Sequence, residues 1–213
     1  MKTENGSVLF VILVAVMLFA ALSYTVAQML RGGDSGTQIS EQKASLLADE
    51  ILGYGRQLRQ SVQTMRISNS CQPEDISFEA TGLTGYAHAP AASSNCTLFD
   101  ANGGGQTYIS PSADFGDGSD WIFTGANIVD DVGTTAPDLV AILPNLKLTI
   151  CNSINDKLGH TGPGGEADIS YTTFQDTYSA SETLNDADGF AAGCLRDTSS
   201  GDMYFFYQTL ISR

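Results

Sequence analysis

The sequence contains 213 residues, of which 42% are hydrophobic, and carries a formal net charge of −14. Its length provides for one globular domain with an additional segment, and its hydrophobic content is normal for a folded protein, which excludes global disorder. The acidic excess lies after Arg66, where only four basic side chains remain: Lys147, Lys157, Arg196 and Arg213. Because phosphate groups repel such a surface, we expect no nucleic acid among the partners of this chain.

The first predicted element is an apolar helix near the N-terminus. No charged residue occurs from Val8 to Leu22, and the charge-free stretch continues to Leu30. This exceeds the roughly 20 residues that a helix needs to cross a bilayer. Three interpretations fit such a stretch: a secretory signal cleaved after Ala27, an uncleaved signal anchor, or a prepilin-type leader cleaved before the apolar helix.

The junction at Gly6 and Ser7 distinguishes the third interpretation. A short polar leader containing Lys2 ends at Gly6, and the apolar run begins with the next residues, as MKTENG followed by SVLFVILVAVMLFAAL. This N-terminus resembles the type IV pilin and type II secretion pseudopilin superfamily. The resemblance implies a leader at residues 1–6, cleavage by a prepilin peptidase, and methylation of the new N-terminus at Ser7. It also implies that residues 7–30 are retained, first as an anchor in the bacterial inner membrane and later as the packed core of a filament.

Val11 departs from the pattern of the main pilins, which carry Glu at the fifth mature position. A carboxylate in an apolar environment is costly unless it pairs with a cation, such as the N-terminal amine of a neighbouring subunit. The missing carboxylate resembles minor subunits, notably K-type pseudopilins and X-type minor pilins. That resemblance implies a place at the filament tip for this subunit, whose C-terminal domain would lie in the periplasm before assembly.

A glycine-rich joint and a second helix follow. Residues 31–36 include three glycines, which disfavour a continuous helix, and Asp34 or Ser35 is a candidate N-cap for the next one. From 37 to 67 the apolar residues recur at spacings of three and four, which predicts an amphipathic helix that packs on a sheet. Its apolar stripe comprises Leu47, Ile51, Tyr54, Leu58, Val62 and Met65.

Three arginines of this predicted helix lie off the apolar stripe: Arg56, Arg59 and Arg66. Two interpretations are open. The arginines form either an ordinary solvated face or an electrostatic seam against the acidic domains of neighbouring subunits.

Short apolar runs between clusters of Gly, Asp, Ser and Pro characterise residues 71–213, a texture typical of strands joined by turns. A short helix carrying Cys151 is predicted at about residues 146–158, and the last strand is expected to close a hairpin. With the amphipathic helix, this region forms the predicted exported domain, 37–213, of the α+β class with a mostly antiparallel sheet. The predicted strands are Ile76–Ala80, Thr97–Phe99, Gln106–Ser110, Trp121–Thr124, Leu139–Leu143, Ile169–Phe174 and Met203–Ile211.

The chain has four dispersed cysteines, and their spacing does not resemble a zinc site. In an exported chain an even number favours two disulfides, and buried free thiols are the alternative. Of the three possible pairings, the sequential one closes the shorter loops and is the predicted one: Cys71 with Cys96, and Cys151 with Cys194.

Residue types suited to catalysis are scarce. The only histidines are His88 and His160, and the sequence contains no HExxH, GxSxG, P-loop or GxGxxG motif. We therefore expect a structural protein and not an enzyme, without a required cofactor.

Calcium is the one candidate ligand, because Asp114, Asp117 and Asp120 lie in a glycine-containing loop and Ca²⁺ prefers oxygen ligands. No Glu closes the loop in the EF-hand pattern, and an ordinary acidic surface turn is the alternative.

These observations lead to one expectation and one alternative. The expectation is a minor pilin or pseudopilin-like subunit of a type IV pilus or of a filament like that of type II secretion. The alternative is a periplasmic binding or adhesion domain that is held by an uncleaved anchor and does not polymerise. Only the first requires a free N-terminus at Ser7.

Overall fold

The structure, a computed structural model, describes residues 5–31, 35–160, 165–199, 201 and 203–213. It divides into two compact units, Met1–Gln42 and Lys43–Arg213. Helices in the N-terminal part precede a six-stranded, mostly antiparallel, nearly closed sheet. The predicted α+β class with a mostly antiparallel sheet is therefore confirmed.

The N-terminal unit contains helix α1, Asn5–Arg31, and the beginning of helix α2, Ser35–Ser68. Of the predicted leader, residues 1–4 lie outside the described residues, and so do residues 32–34 of the predicted joint. Within the part of the chain that is described, no helix meets the length and hydropathy that crossing a membrane requires.

Helix α2 supplies one side of the domain core. Its buried residues recur at spacings of three and four, as predicted, because one face of a helix with 3.6 residues per turn meets the sheet. The helix ends where Ser70 adopts a left-handed conformation, with a φ of 57°, and the amide of Asn69 donates to the carbonyl of Met65. The buried face comprises Ala44, Ala48, Ile51, Leu52, Tyr54, Leu58, Val62 and Met65.

The sheet has the strand order β3-β5-β6-β2-β1-β4. Its edge strands β3 and β4 also approach each other, which makes it nearly closed. Strands β1 and β2, β2 and β6, and β5 and β6 pair antiparallel, whereas β1 with β4 and β3 with β5 pair parallel. The strands are β1 Ile122–Val129, β2 Asp138–Leu146, β3 Glu166–Ala167, β4 Glu182–Leu184, β5 Ala192–Asp197 and β6 Met203–Ile211, and helix α3, Leu148–Leu158, follows β2.

Strand β6 coincides with the predicted last strand and forms a hairpin with β5, as expected. Because side chains alternate across a strand, β6 serves two cores. Phe206 faces the main core beneath α2 and α3, whereas Phe205 and Tyr207 belong to a second cluster on the opposite face. Burial of each such side chain contributes roughly 1.5–3 kcal/mol to folding.

Several predicted strands are wrong, and in two of these segments side chains bond the backbone where a strand would form a ladder. At Gln106–Ser110, the hydroxyl of Tyr54 donates to the Thr107 carbonyl and accepts from the Ile109 amide. Ile169–Phe174 runs beside β1, where Asn127 bonds both the amide and the carbonyl of Ser170. The predicted strands Ile76–Ala80 and Thr97–Phe99 reduce to a single bridge between Ser77 and Thr97.

Candidate functional site

The predicted assembly helix is α1, and its described side chains, at residues 10–24, are exposed. Val11 is 61% exposed, and the large apolar residues around it range from 40% at Val14 to 73% at Phe19. No charged residue occurs in this stretch. Gly6 and Ser7 belong to the same helix, although their side chains lie outside the described residues. Apolar side chains exposed over a stretch of this kind are typical of surfaces that contact lipid or another protein.

The predicted electrostatic seam consists of three arginines of α2: Arg56, Arg59 and Arg66. Arg56 and Arg59 are exposed and Arg66 is half-buried. Arg56 donates through Nε to the Leu52 carbonyl at 3.2 Å, and Arg66 donates to the side chain of Gln63 at 3.5 Å. Within the described part of the chain, none of the three pairs with a carboxylate.

The other basic side chains of the domain are occupied within the chain. Lys43 pairs with Asp114 at 3.0 Å, Lys157 with Asp49 at 2.9 Å, Arg213 with Glu74 at 3.7 Å, and Arg196 with Glu166. Lys147 donates through Nζ to the backbone carbonyl of Asp114. Among the described residues, the α2 arginines and Lys147 are therefore the basic groups of the domain without a carboxylate partner.

The three aspartates of the predicted calcium loop each bond another side chain. Asp114 pairs with Lys43, which lowers the pKa of its carboxyl group, and Asp120 accepts from the hydroxyl of Tyr108 at 2.7 Å. Asp117 accepts from the hydroxyl and the amide of Ser119, and these bonds lower its pKa. Among the described residues, which include all three aspartates, no group of three or more His, Cys, Asp or Glu side chains is placed to hold a metal ion. The calcium prediction for Asp114, Asp117 and Asp120 therefore stays a prediction, without support from this arrangement of side chains.

Both predicted disulfides are present. Cys71 joins Cys96 with a Cα–Cα distance of 5.7 Å, and Cys151 joins Cys194 at 5.4 Å. The first links the end of α2 to a 3-10 turn at Ser94–Cys96, and the second links α3 to β5. The sequential pairing is therefore confirmed, and two disulfides are typical of a protein in an oxidising compartment.

The two histidines occupy apolar environments. His88 is buried against Phe174, and its Nε2 has no hydrogen-bond partner among the described residues. His160 stacks on Phe190 with ring centroids 3.8 Å apart, and burial lowers the pKa of its imidazole. Neither ring bonds a nucleophilic side chain in the described part of the chain, so this geometry offers no support for histidine catalysis.

An open groove that sequence reasoning missed lies beside the first disulfide. It encloses about 640 Å³ and is lined by Glu79, Thr81, Leu83, Tyr86, Thr97, Phe99 and Asp100, among others. Its walls are loops without hydrophobic periodicity, so no sequence pattern indicates them. The lining of the groove mixes polar and apolar side chains, includes two carboxylates and has no basic side chain.

Comparison of the chain with protein-family models, with curated proteins and with solved structures gives no match. The resemblance to pilins and pseudopilins therefore depends on the N-terminal residues alone.

Proposed function

We propose that this chain is a structural subunit of a type IV pilus or of a filament like that of type II secretion, in the manner of a minor pilin or pseudopilin. In this proposal a prepilin peptidase removes residues 1–6, and the apolar helix first anchors the subunit in the bacterial inner membrane with the domain in the periplasm. Assembly then moves the helix from lipid into a bundle with the helices of other subunits.

The observation that carries the proposal is the exposed apolar surface of α1, directly after the Gly6–Ser7 junction. Phe10, Val16 and Phe19 are each more than 60% exposed, and no charged side chain interrupts residues 8–30. This charge-free stretch of sequence has the length that a membrane anchor needs. Because lipid tails are as apolar as these side chains, close packing between helices drives association inside a bundle.

The arginines of α2 offer a second contact between subunits. The domain is strongly acidic, yet Arg56 and Arg59 are exposed and have no carboxylate partner in the described part of the chain. Acidic surfaces of neighbouring domains are the complementary partner. Opposite charges across an interface favour correct register, and an exposed pair contributes roughly 0.2–1 kcal/mol.

Processing at the N-terminus tests the proposal. Mass spectrometry of the chain from its native cells should show a mature N-terminus at Ser7, with or without methylation. Gly6→Leu should abolish processing and Gly6→Ala should reduce it, whereas Ala27→Leu, which blocks conventional signal cleavage, should leave it unchanged. A mature N-terminus at Gln28 would remove the packing helix and refute the filament.

Assembly is tested on sheared filaments. Since Val11 replaces the carboxylate of the main pilins, we expect this chain at low abundance beside a separate main subunit, with filament formation reduced on its deletion. Arg56→Glu combined with Arg59→Glu should lower its incorporation, and the matched Arg→Lys pair should retain it. If this chain dominates the shaft, the tip position is wrong.

The groove of about 640 Å³ favours the alternative function, an anchored binding or adhesion domain. An uncleaved N-terminus, together with normal filaments after deletion of the chain, would support this alternative over the filament subunit.

A further inference from the structure

The residues Asn95-Cys96-Thr97 form an Asn-x-Thr triplet on the surface of the domain. This pattern is the acceptor sequence for N-linked glycosylation in exported proteins, provided that the middle residue is not proline. Asn95 is exposed in the 3-10 turn Ser94–Cys96, and the two disulfides are typical of an exported protein, the class in which this triplet is modified. We propose that Asn95 is a glycosylation site that carries an oligosaccharide on its side-chain nitrogen.

The carboxamide of Asn95 is available, unlike those of the asparagines that hold the fold together. Asn127 and Asn155 are fully buried and use their amides to bond the backbone of Ser170 and Cys194. Asn95 contributes only its backbone carbonyl, which accepts from Asn69 Nδ2 at 2.7 Å. In the described part of the chain its own carboxamide makes no hydrogen bond, so attachment of a sugar would break no contact there.

The surroundings also leave space for a bulky group. Ser94 and Thr97, on either side of the Asn95–Cys96 pair, line the open groove of about 640 Å³. A glycan on Asn95 would lie at the rim of this groove and cover part of the domain surface with polar groups.

The transfer has a simple chemical balance. The Asn95 side-chain nitrogen attacks the anomeric carbon of a lipid-linked oligosaccharide, a carbon–nitrogen bond forms, and the carbon–oxygen bond to the lipid phosphate breaks. The lipid phosphate leaves with the bonding electrons, and a base of the transferase takes the proton from nitrogen. In the folded chain the Thr97 hydroxyl, which belongs to the acceptor triplet, donates to the Ser93 carbonyl at 3.2 Å. Because the hydroxyl is engaged there, we place the transfer before this turn forms.

The test is intact-mass measurement and peptide mapping of the full chain purified from its native cells. The peptide containing Asn95 should be heavier by the mass of one oligosaccharide. The shift should be lost in Asn95→Gln and in Thr97→Val, which removes the hydroxyl while keeping the branched shape, and retained in the control Thr97→Ser.

The wild-type measurement alone decides the outcome, so failure of a variant to fold would not obscure it. An unmodified Asn95 peptide overturns the proposal. It is also overturned by a glycan on Ser93 or Ser94, or by one confined to Asn5, which stands in the other Asn-x-Ser/Thr triplet of the sequence. None of these results depends on whether the chain forms filaments.

Discussion

Two glycines in helix α2 provide a sharp test of how the helix packs on the sheet. An added Cβ at Gly55 would lie 3.1 Å from the Phe206 ring, whereas one at Gly53 would meet no atom within 4 Å. Phe206 is fully buried, and its ring packs edge-to-face on Trp121 at a centroid distance of 6.0 Å. The ring therefore has little freedom to move away.

The two alanine variants should differ in stability by an amount that follows from this geometry. Gly→Ala within a helix contributes about 0.5–1 kcal/mol where space is open. Gly53→Ala should therefore stabilise the domain by that amount. Gly55→Ala gains the same propensity but overpacks the core, which costs about 1–3 kcal/mol. For a domain of this size, each 1 kcal/mol shifts the melting temperature by roughly 2–4 °C.

Thermal unfolding, followed by the fluorescence of Trp121, measures the difference. Trp121 is the only tryptophan, is 3% exposed and lies 5.3 Å from Tyr54 of α2, so its emission reports on this contact. Gly53→Ala should melt at a higher temperature than the wild type. The unfolding free energy of Gly55→Ala should be about 1–3 kcal/mol lower than that of Gly53→Ala. Equal stabilisation by both variants would refute the close contact between Gly55 of α2 and Phe206 of β6.

Three further predictions concern the sheet and its links. Asn155→Ala should destabilise the domain by roughly 2–5 kcal/mol, because it leaves the buried backbone amide and carbonyl of Cys194 without partners. Denaturant unfolding measures this loss against the exposed control Asp156→Ala, and equal destabilisation by the two variants would contradict the prediction. An unreduced sample should contain no free thiol, and alkylation of Cys151 or Cys194 in the folded, unreduced protein would reject this disulfide. Replacing both cysteines by alanine should lower the free energy of unfolding by about 4 kcal/mol, given their separation of 43 residues. Burial raises the pKa of the Asp138 carboxyl group, so the stabilising contribution of Asp138 is complete below the unfolded pKa of about 3.9 and declines as pH rises through the folded pKa. The unfolding free energy of the wild type, relative to that of Asp138→Asn, should fall over this pH range, and parallel curves for the two proteins would argue against the prediction.

The sequence by itself determined those features that depend on local periodicity or on chain connectivity. The spacing of Leu58, Val62 and Met65 predicted the helix that packs on the sheet, because helical geometry places such residues on one face. Residues 203–211 formed the predicted last strand, since both faces of this strand are buried and its apolar run is nearly continuous. The sequential disulfides followed from the shorter loops that they close.

Only the tertiary structure decided which polar groups meet. Asp114, Asp117 and Asp120 are close in sequence, yet each carboxylate bonds a different side chain, because partners as distant as Lys43 and Asn145 converge on the loop. The irregular segment at 169–174 has a strand-like sequence, but the buried side chain of Asn127 forms hydrogen bonds with both the backbone amide and the backbone carbonyl of Ser170. The strand order and the groove at residues 79–100 likewise depend on contacts between residues far apart in the chain, and such contacts leave no periodic signal in the sequence.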